Sequence, residues 1–194
     1  SLRRSIKRLA NLWNGEKIDL LTLSHFHSDH ISGVLQLLKA IEARTLMLPW
    51  APLWQRLAIG FAQGLRADDP LIGFFIDPIT FLSAEVPDRF QSVLFVMPST
   101  GPGPAYEAEP ATDPEPGFDE DGLGKAQDWG EPGDPDDLEL SGRGGASIRT
   151  LGRGRNIQFG CWWEFIPYND PATSPSDPVG FRAIVGTYRD MLLN

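Results

Sequence analysis

The sequence predicts an α/β fold, and the order of its first elements supports this fold class. A short apolar segment at residues 18–23 has the composition of a buried strand. Apolar residues then recur at helical spacing over residues 31–43. A second strand is expected at residues 45–48, where Pro49 ends it. A strand, a loop, a helix and a strand in this order form a βαβ unit.

An amphipathic helix is expected before this unit. Leu2, Ile6, Leu9 and Trp13 recur at helical spacing, and the Asn-Gly pair at residues 14–15 is typical of a helix end. Basic residues lie between the apolar ones. Such a basic face could contact nucleic acid or an acidic membrane surface, and a simply solvated helix face would have the same composition.

The later elements follow the same patterns. Two helices are expected over residues 52–84, separated at residues 68–70, with a kink or a helix end at Pro78. Further strands are expected at residues 90–97 and 158–166, and a final helix at residues 178–193.

The negative charge of the chain is concentrated in one segment. The net charge is −9, and residues 101–140 contain 13 acidic side chains but only one basic side chain, Lys125. The same segment contains seven Pro and seven Gly, a composition that disfavours a packed core. We therefore expect a disordered insert at residues 99–147 that divides one domain into residues 1–98 and 148–194. The insert could act as a lid or bind a protein partner.

Cysteine usage and hydropathy argue against a disulfide-stabilised protein and against a membrane-spanning one. Cys161 is the only cysteine, so the chain cannot form an internal disulfide. It is expected to be a buried apolar residue, with a zinc ligand as the alternative. No apolar run approaches the length of a membrane span, and the cytoplasm is the expected compartment.

All three histidines of the chain lie within six residues, directly after the first predicted strand. Because side chains alternate at the end of a strand, His25 and His27 should project to the same side and could hold one metal ion. Asp29 and His30 follow on the turn and could reach a second ion close by. Nitrogen and carboxylate ligands suit zinc, and they also bind manganese or iron. A polar turn without a ligand is the alternative.

The pattern His25-x-His27-x-Asp29-His30, followed by Gly33 in the next helix, resembles the signature of the metallo-β-lactamase-fold superfamily. The resemblance implies an αββα sandwich, incomplete in this chain, and a hydrolase in which two metal ions, usually zinc, activate water. His25 and His27 would bind the first ion, and Asp29 and His30 the second. Asp29 would also orient the attacking water.

The chain departs from that family pattern in two respects. The family uses further ligands, including later histidines, whereas no histidine follows His30 here. The family also has strands ahead of the motif, where this chain has one predicted helix. We therefore expect a fragment with little or no hydrolytic activity alone, in which Glu164 or Asp170 could substitute as a ligand. The alternative is a non-catalytic component of a multi-protein assembly.

The substrate stays open at this point. Phosphodiester, ester and amide hydrolysis all agree with the resemblance, and nucleic acid is expected only as a substrate, because the remainder of the chain carries a net charge of only +3.

Overall fold

A computed structural model describes residues 2–13, 15–98, 129–140, 145–152, 155, 157–159, 163–165, 167 and 169. Its helices are Leu2–Leu12 (α1), Ser28–Ala40 (α2), Leu53–Ala62 (α3), Ile72–Ile76 (α4) and Pro78–Glu85 (α5). Its strands are Ile18–Thr22 (β1), Ala43–Pro49 (β2), Phe90–Val96 (β3), Glu131–Pro132 (β4), Ser147–Leu151 (β5), Ile157–Phe159 (β6) and Trp163–Phe165 (β7).

Five strands form one sheet in the order β1-β2-β3-β5-β4. Strands β1, β2, β3 and β5 are parallel, and the short β4 runs antiparallel to β5. Strands β6 and β7 form a separate antiparallel pair. The predicted mixed α/β fold is confirmed. Because four strands are parallel, their carboxyl ends meet at one edge of the sheet, which is the usual ligand-binding edge of such sheets.

Most predicted elements are present with shifted bounds. Helix α2 begins at Ser28, earlier than the apolar spacing indicated, because its first turn is polar and carries no periodic apolar residue. Pro78 occupies the first turn of α5, behind the N-cap Asp77, so it starts a helix there. The single strand expected at residues 158–166 is two short strands. Cys161, Asp170 and the helix expected at residues 178–193 lie outside the described residues.

The two faces of the sheet are covered differently. Leu46, Leu48, Val93 and Phe95 point to one face and pack within the cluster that includes helices α2 to α5. The opposite face carries a smaller apolar cluster. Its buried members are Met47, Leu94, Val96, Trp129, Leu151 and Ile157. Helices α2 to α5 therefore pack on one face of the sheet, and Trp129 and Ile157, from the later part of the chain, pack on the other.

Residues 129–140 differ from the expected insert. Trp129, Leu138 and Leu140 are buried, and β4 extends the sheet. Arg149 holds this segment in place by donating from Nε to the Trp129 carbonyl at 2.7 Å and from Nη2 to the Gly130 carbonyl at 2.6 Å. The acidic and Gly/Pro-rich average of residues 101–140 concealed these few apolar residues. Residues 101–128 lie outside the described part of the chain.

The helix expected at the start of the chain is present as α1, which lies on the surface beside α2. None of its residues is buried, and Leu2, Leu9, Leu12 and the following Trp13 are exposed. Within the described ranges, no helix combines the length and the apolar character that a bilayer crossing requires.

Arg56 is the largest polar side chain in the core, and it joins the helices to the end of the acidic segment. Its guanidinium donates to the carbonyls of Phe75 (3.0 Å), Ala51 (2.7 Å), Ile76 (2.9 Å) and Glu139 (3.2 Å). Burial lowers the pKa of Arg56 to about 10, against the opposing charge of nearby carboxylates. Arg56 therefore stays charged at neutral pH, and its charge is compensated by backbone oxygen atoms.

We expect Arg56→Met to lower the free energy of unfolding by about 3 kcal/mol, because several carbonyls lose their buried donor. Arg66→Met is the matched control, since Arg66 is exposed in a surface ion pair with Asp68. Urea denaturation of both variants measures the difference. Equal stability of the two variants would contradict the structural role of Arg56.

Candidate metal centre

The histidine loop, residues 24–30, leaves the sheet at the carboxyl end of β1. The backbone N–H of Leu23 still donates to the Met47 carbonyl at 2.9 Å, which extends the β1–β2 pairing by one residue. Helix α2 then begins at Ser28, with His27 as its N-cap. His25 and His27 therefore lie between a fixed strand end and α2, and Asp29 and His30 lie in the first turn of that helix.

Phe26 anchors the middle of this loop. Its side chain is 3% exposed and packs edge to face on Phe74, with ring centroids 5.4 Å apart. The flanking His25 and His27 are exposed. Burial of the middle residue therefore turns both imidazoles away from the core and to the same side, as expected, although β1 itself ends at Thr22.

The structure brings the three imidazoles together. The ring centroids lie 4.5 Å apart for His25 and His27, 4.1 Å for His25 and His30, and 6.4 Å for His27 and His30. Asp29 Oδ2 lies 3.9 Å from His30 Nε2, and both side chains are exposed. His25 thus lies in the middle of the cluster, close to a histidine from each predicted ligand pair.

The rings contact one another in this arrangement. Across the described residues, no three His, Cys, Asp or Glu side chains are arranged so that they could hold a metal ion as they stand. The chemistry of the donors nevertheless suits zinc, since the cluster offers three imidazoles and one carboxylate on a solvent-exposed loop. The ligand assignment of His25, His27, Asp29 and His30 stays a prediction.

The electrostatics of the cluster favour a neutral His25. Its pKa is lowered, first by desolvation of the ring and then by the neighbouring His30 and His27, while Asp29 opposes the shift. Ser24 Oγ is hydrogen-bonded to His25 Nδ1 at 3.0 Å. Neutral imidazole is the form that binds metals, and a hydrogen bond to one ring nitrogen orients the other.

Gln63, just beyond α3, contacts the backbone of the histidine loop and was not identified from the sequence. Its Nε2 donates to the Phe26 carbonyl at 2.8 Å, and its Oε1 accepts from the Ser28 N–H at 2.7 Å. Nothing in the spacing of the chain indicates this contact, because Gln63 lies 37 residues after Phe26. Only the tertiary fold brings the two together.

Other polar groups lie along the same edge of the sheet. Asn169 Nδ2 donates to the carbonyls of Trp50 (2.7 Å) and Val96 (2.9 Å), where β2 and β3 end.

A cavity of about 390 Å³ opens further along, at the ends of β3 and β5, with Trp129 and Arg155 among its lining residues. The side chain of Glu164, a possible further ligand, lies outside the described part of the molecule.

Comparison of the sequence with models of known protein families identifies the family of the chain. The family model of the metallo-β-lactamase superfamily matches residues 3–142. The chain belongs to the metallo-β-lactamase superfamily. The match includes the histidine loop and the buried segment 129–140, so the family resemblance extends beyond the motif. Membership suggests metal-dependent hydrolysis, which is the activity of most members. Comparisons with curated proteins and with solved structures found no match.

We expect Phe26→Ala to lower the free energy of unfolding by about 3–5 kcal/mol, because it removes a fully packed ring and leaves a cavity beside Phe74. Phe61→Ala is the control, since Phe61 is 41% exposed, and it should cost about 1 kcal/mol or less. Thermal and urea unfolding measure both variants. A Phe26→Ala chain as stable as the control would show that this ring does not anchor the loop.

Proposed function

We propose that this chain provides the metal-binding part of a metal-dependent hydrolase whose site holds two zinc ions. The observation that supports the proposal is the convergence of His25, His27 and His30, with ring centroids 4.1–6.4 Å apart, at the carboxyl edge of a parallel sheet. Membership in the metallo-β-lactamase superfamily supports the same class of reaction.

Each residue of the histidine loop has a proposed role. His25 and His27 would hold the first ion, and Asp29 and His30 the second, with manganese or iron as alternatives to zinc. When bound, the metal would supply Lewis acidity and lower the pKa of the water bound to it towards neutrality. Asp29 would also accept a hydrogen bond from the attacking water and so orient it. The carboxylate lies in the first turn of α2, where the helix dipole favours negative charge.

The exposure of the loop bears on the substrate. Asp29 is 79% exposed and His30 44% exposed at their side chains, so a substrate can approach the cluster directly from solvent. Phosphodiester, ester and amide substrates therefore all remain compatible with the proposed chemistry.

A second candidate function is that of a non-catalytic component of a multi-protein assembly. The observation that favours it is the number of histidines: the chain has three, and all lie in the loop. A catalytic zinc normally has three protein ligands and an open position, so two ions need more ligands than this loop supplies. In this role the acidic residues 101–140 would contact a protein partner with a basic surface.

The proposed compartment is the cytoplasm. Cysteine usage supports this proposal, because the single Cys161 of this chain suits a reducing environment.

We expect the wild-type chain to bind zinc, and His27→Ala and Asp29→Ala each to weaken binding by about tenfold or more, because each removes a donor. Asp68→Ala is the matched control for Asp29→Ala, because both carboxylates are 79% exposed and each lies beside a basic side chain. Isothermal titration calorimetry and elemental analysis measure affinity and stoichiometry. Zinc binding that is equal in the control and in both loop variants would contradict the assignment.

Hydrolysis assays separate the two candidate functions. We expect slow turnover of a phosphodiester, thioester, lactone or β-lactam with zinc or manganese, because the loop supplies an incomplete ligand set. This turnover should be lost in Asp29→Ala, because the variant removes a proposed metal ligand. Zinc binding without any turnover would favour the assembly component. Turnover that survives in both His27→Ala and Asp29→Ala would contradict the proposed site.

A further inference from the structure

We propose that Gln63 is a positioning residue that holds the histidine loop in the conformation from which it binds metal. The inference rests on the proposed metal-binding function of the loop. It assigns a role to a side chain that is not itself a candidate ligand and that lies at the C-terminal end of a different helix.

The contacts of Gln63 bracket one candidate ligand. Its Nε2 donates to the carbonyl of Phe26 at 2.8 Å, and its Oε1 accepts from the N–H of Ser28 at 2.7 Å, so the two bonds flank His27 on both sides. The same Nε2 also donates to the Ile59 carbonyl at 3.1 Å, within the last turn of α3. This third bond fixes the orientation of the Gln63 side-chain amide relative to α3.

Gln63 also supplies what the N-terminus of α2 lacks. The first N–H groups of a helix need acceptors from outside the helix, and Ser, Thr, Asp or Asn at the N-cap usually provides one. The N-cap here is His27, which makes no side-chain capping bond. Gln63 caps the N–H of Ser28 from the end of a neighbouring helix. The imidazole of His27 can therefore project into the histidine cluster without leaving that N–H unsatisfied.

Loss of the Gln63 amide should loosen the loop more than the fold. Phe26 remains anchored by Phe74, and the Leu23 pairing with Met47 remains intact. The freedom gained is therefore confined to the backbone around His27 and Ser28. Residues that orient metal ligands in this way typically change metal affinity by about 10- to 100-fold when they are replaced.

The variant Gln63→Met tests the proposal, because it keeps the length of the side chain and removes both polar atoms. Gln36→Met is the matched control. Gln36 is also part-buried and donates to a backbone carbonyl, that of Ser32 at 3.3 Å, but within its own helix. Gln63→Glu is a second variant that keeps the acceptor for Ser28 and places a carboxylate oxygen against the Phe26 carbonyl.

Two measurements are made on each chain. In the metal-free protein, amide hydrogen exchange of residues 24–31 should rise about tenfold in Gln63→Met relative to Gln36→Met, while exchange in β2 and β3 stays unchanged. Zinc affinity, measured by calorimetry, should fall about tenfold or more in both Gln63 variants and less than twofold in the control.

The outcomes separate this inference from the proposed function. Wild-type zinc affinity retained in both Gln63 variants would overturn the inference and leave the proposed function standing. Exchange that rises equally across the whole sheet would also overturn it, because Gln63 would then stabilise the fold in general. If the wild-type chain binds no zinc, the proposed function fails, and the exchange comparison alone decides whether Gln63 holds the loop.

Discussion

The burial of Phe26 is the constraint on which the candidate site depends. With the Phe26 ring packed on Phe74, the neighbouring His25 and His27 must point to solvent. The strand before the loop is fixed by the Leu23–Met47 hydrogen bond, and the helix after it begins at Ser28. These contacts fix the backbone on both sides of the loop, and in this conformation the imidazoles of His25 and His27 lie on the solvent side.

Helix α3 connects this loop to a distant part of the sequence. At its first residue, the Leu53 N–H donates to Glu139 Oε2 at 2.6 Å, and Arg56 donates to the Glu139 carbonyl. Just beyond its last residue, Gln63 holds the histidine loop. The end of the acidic segment and the candidate site are therefore attached to opposite ends of one helix. The family match, which extends to residue 142, includes both attachments.

The sequence predicted the local parts of this arrangement and missed the long-range ones. Strand β1, helix α2 and the side of the loop occupied by His25 and His27 follow from spacing between near neighbours. The bonds of Arg56 and Gln63 join residues far apart in the chain and have no periodic pattern, so spacing could not reveal them. Residues 129–140 were misread because composition was averaged over a window in which Trp129 and Leu138 were outnumbered by acidic residues.

The most direct test of the account is a crystal structure of the chain grown with zinc, with diffraction data collected above and below the zinc absorption edge. The account predicts anomalous density bounded by His25, His27, Asp29 and His30, with the Phe26 ring still buried beneath the loop. Anomalous density elsewhere, with the histidine loop empty at saturating zinc, would contradict it.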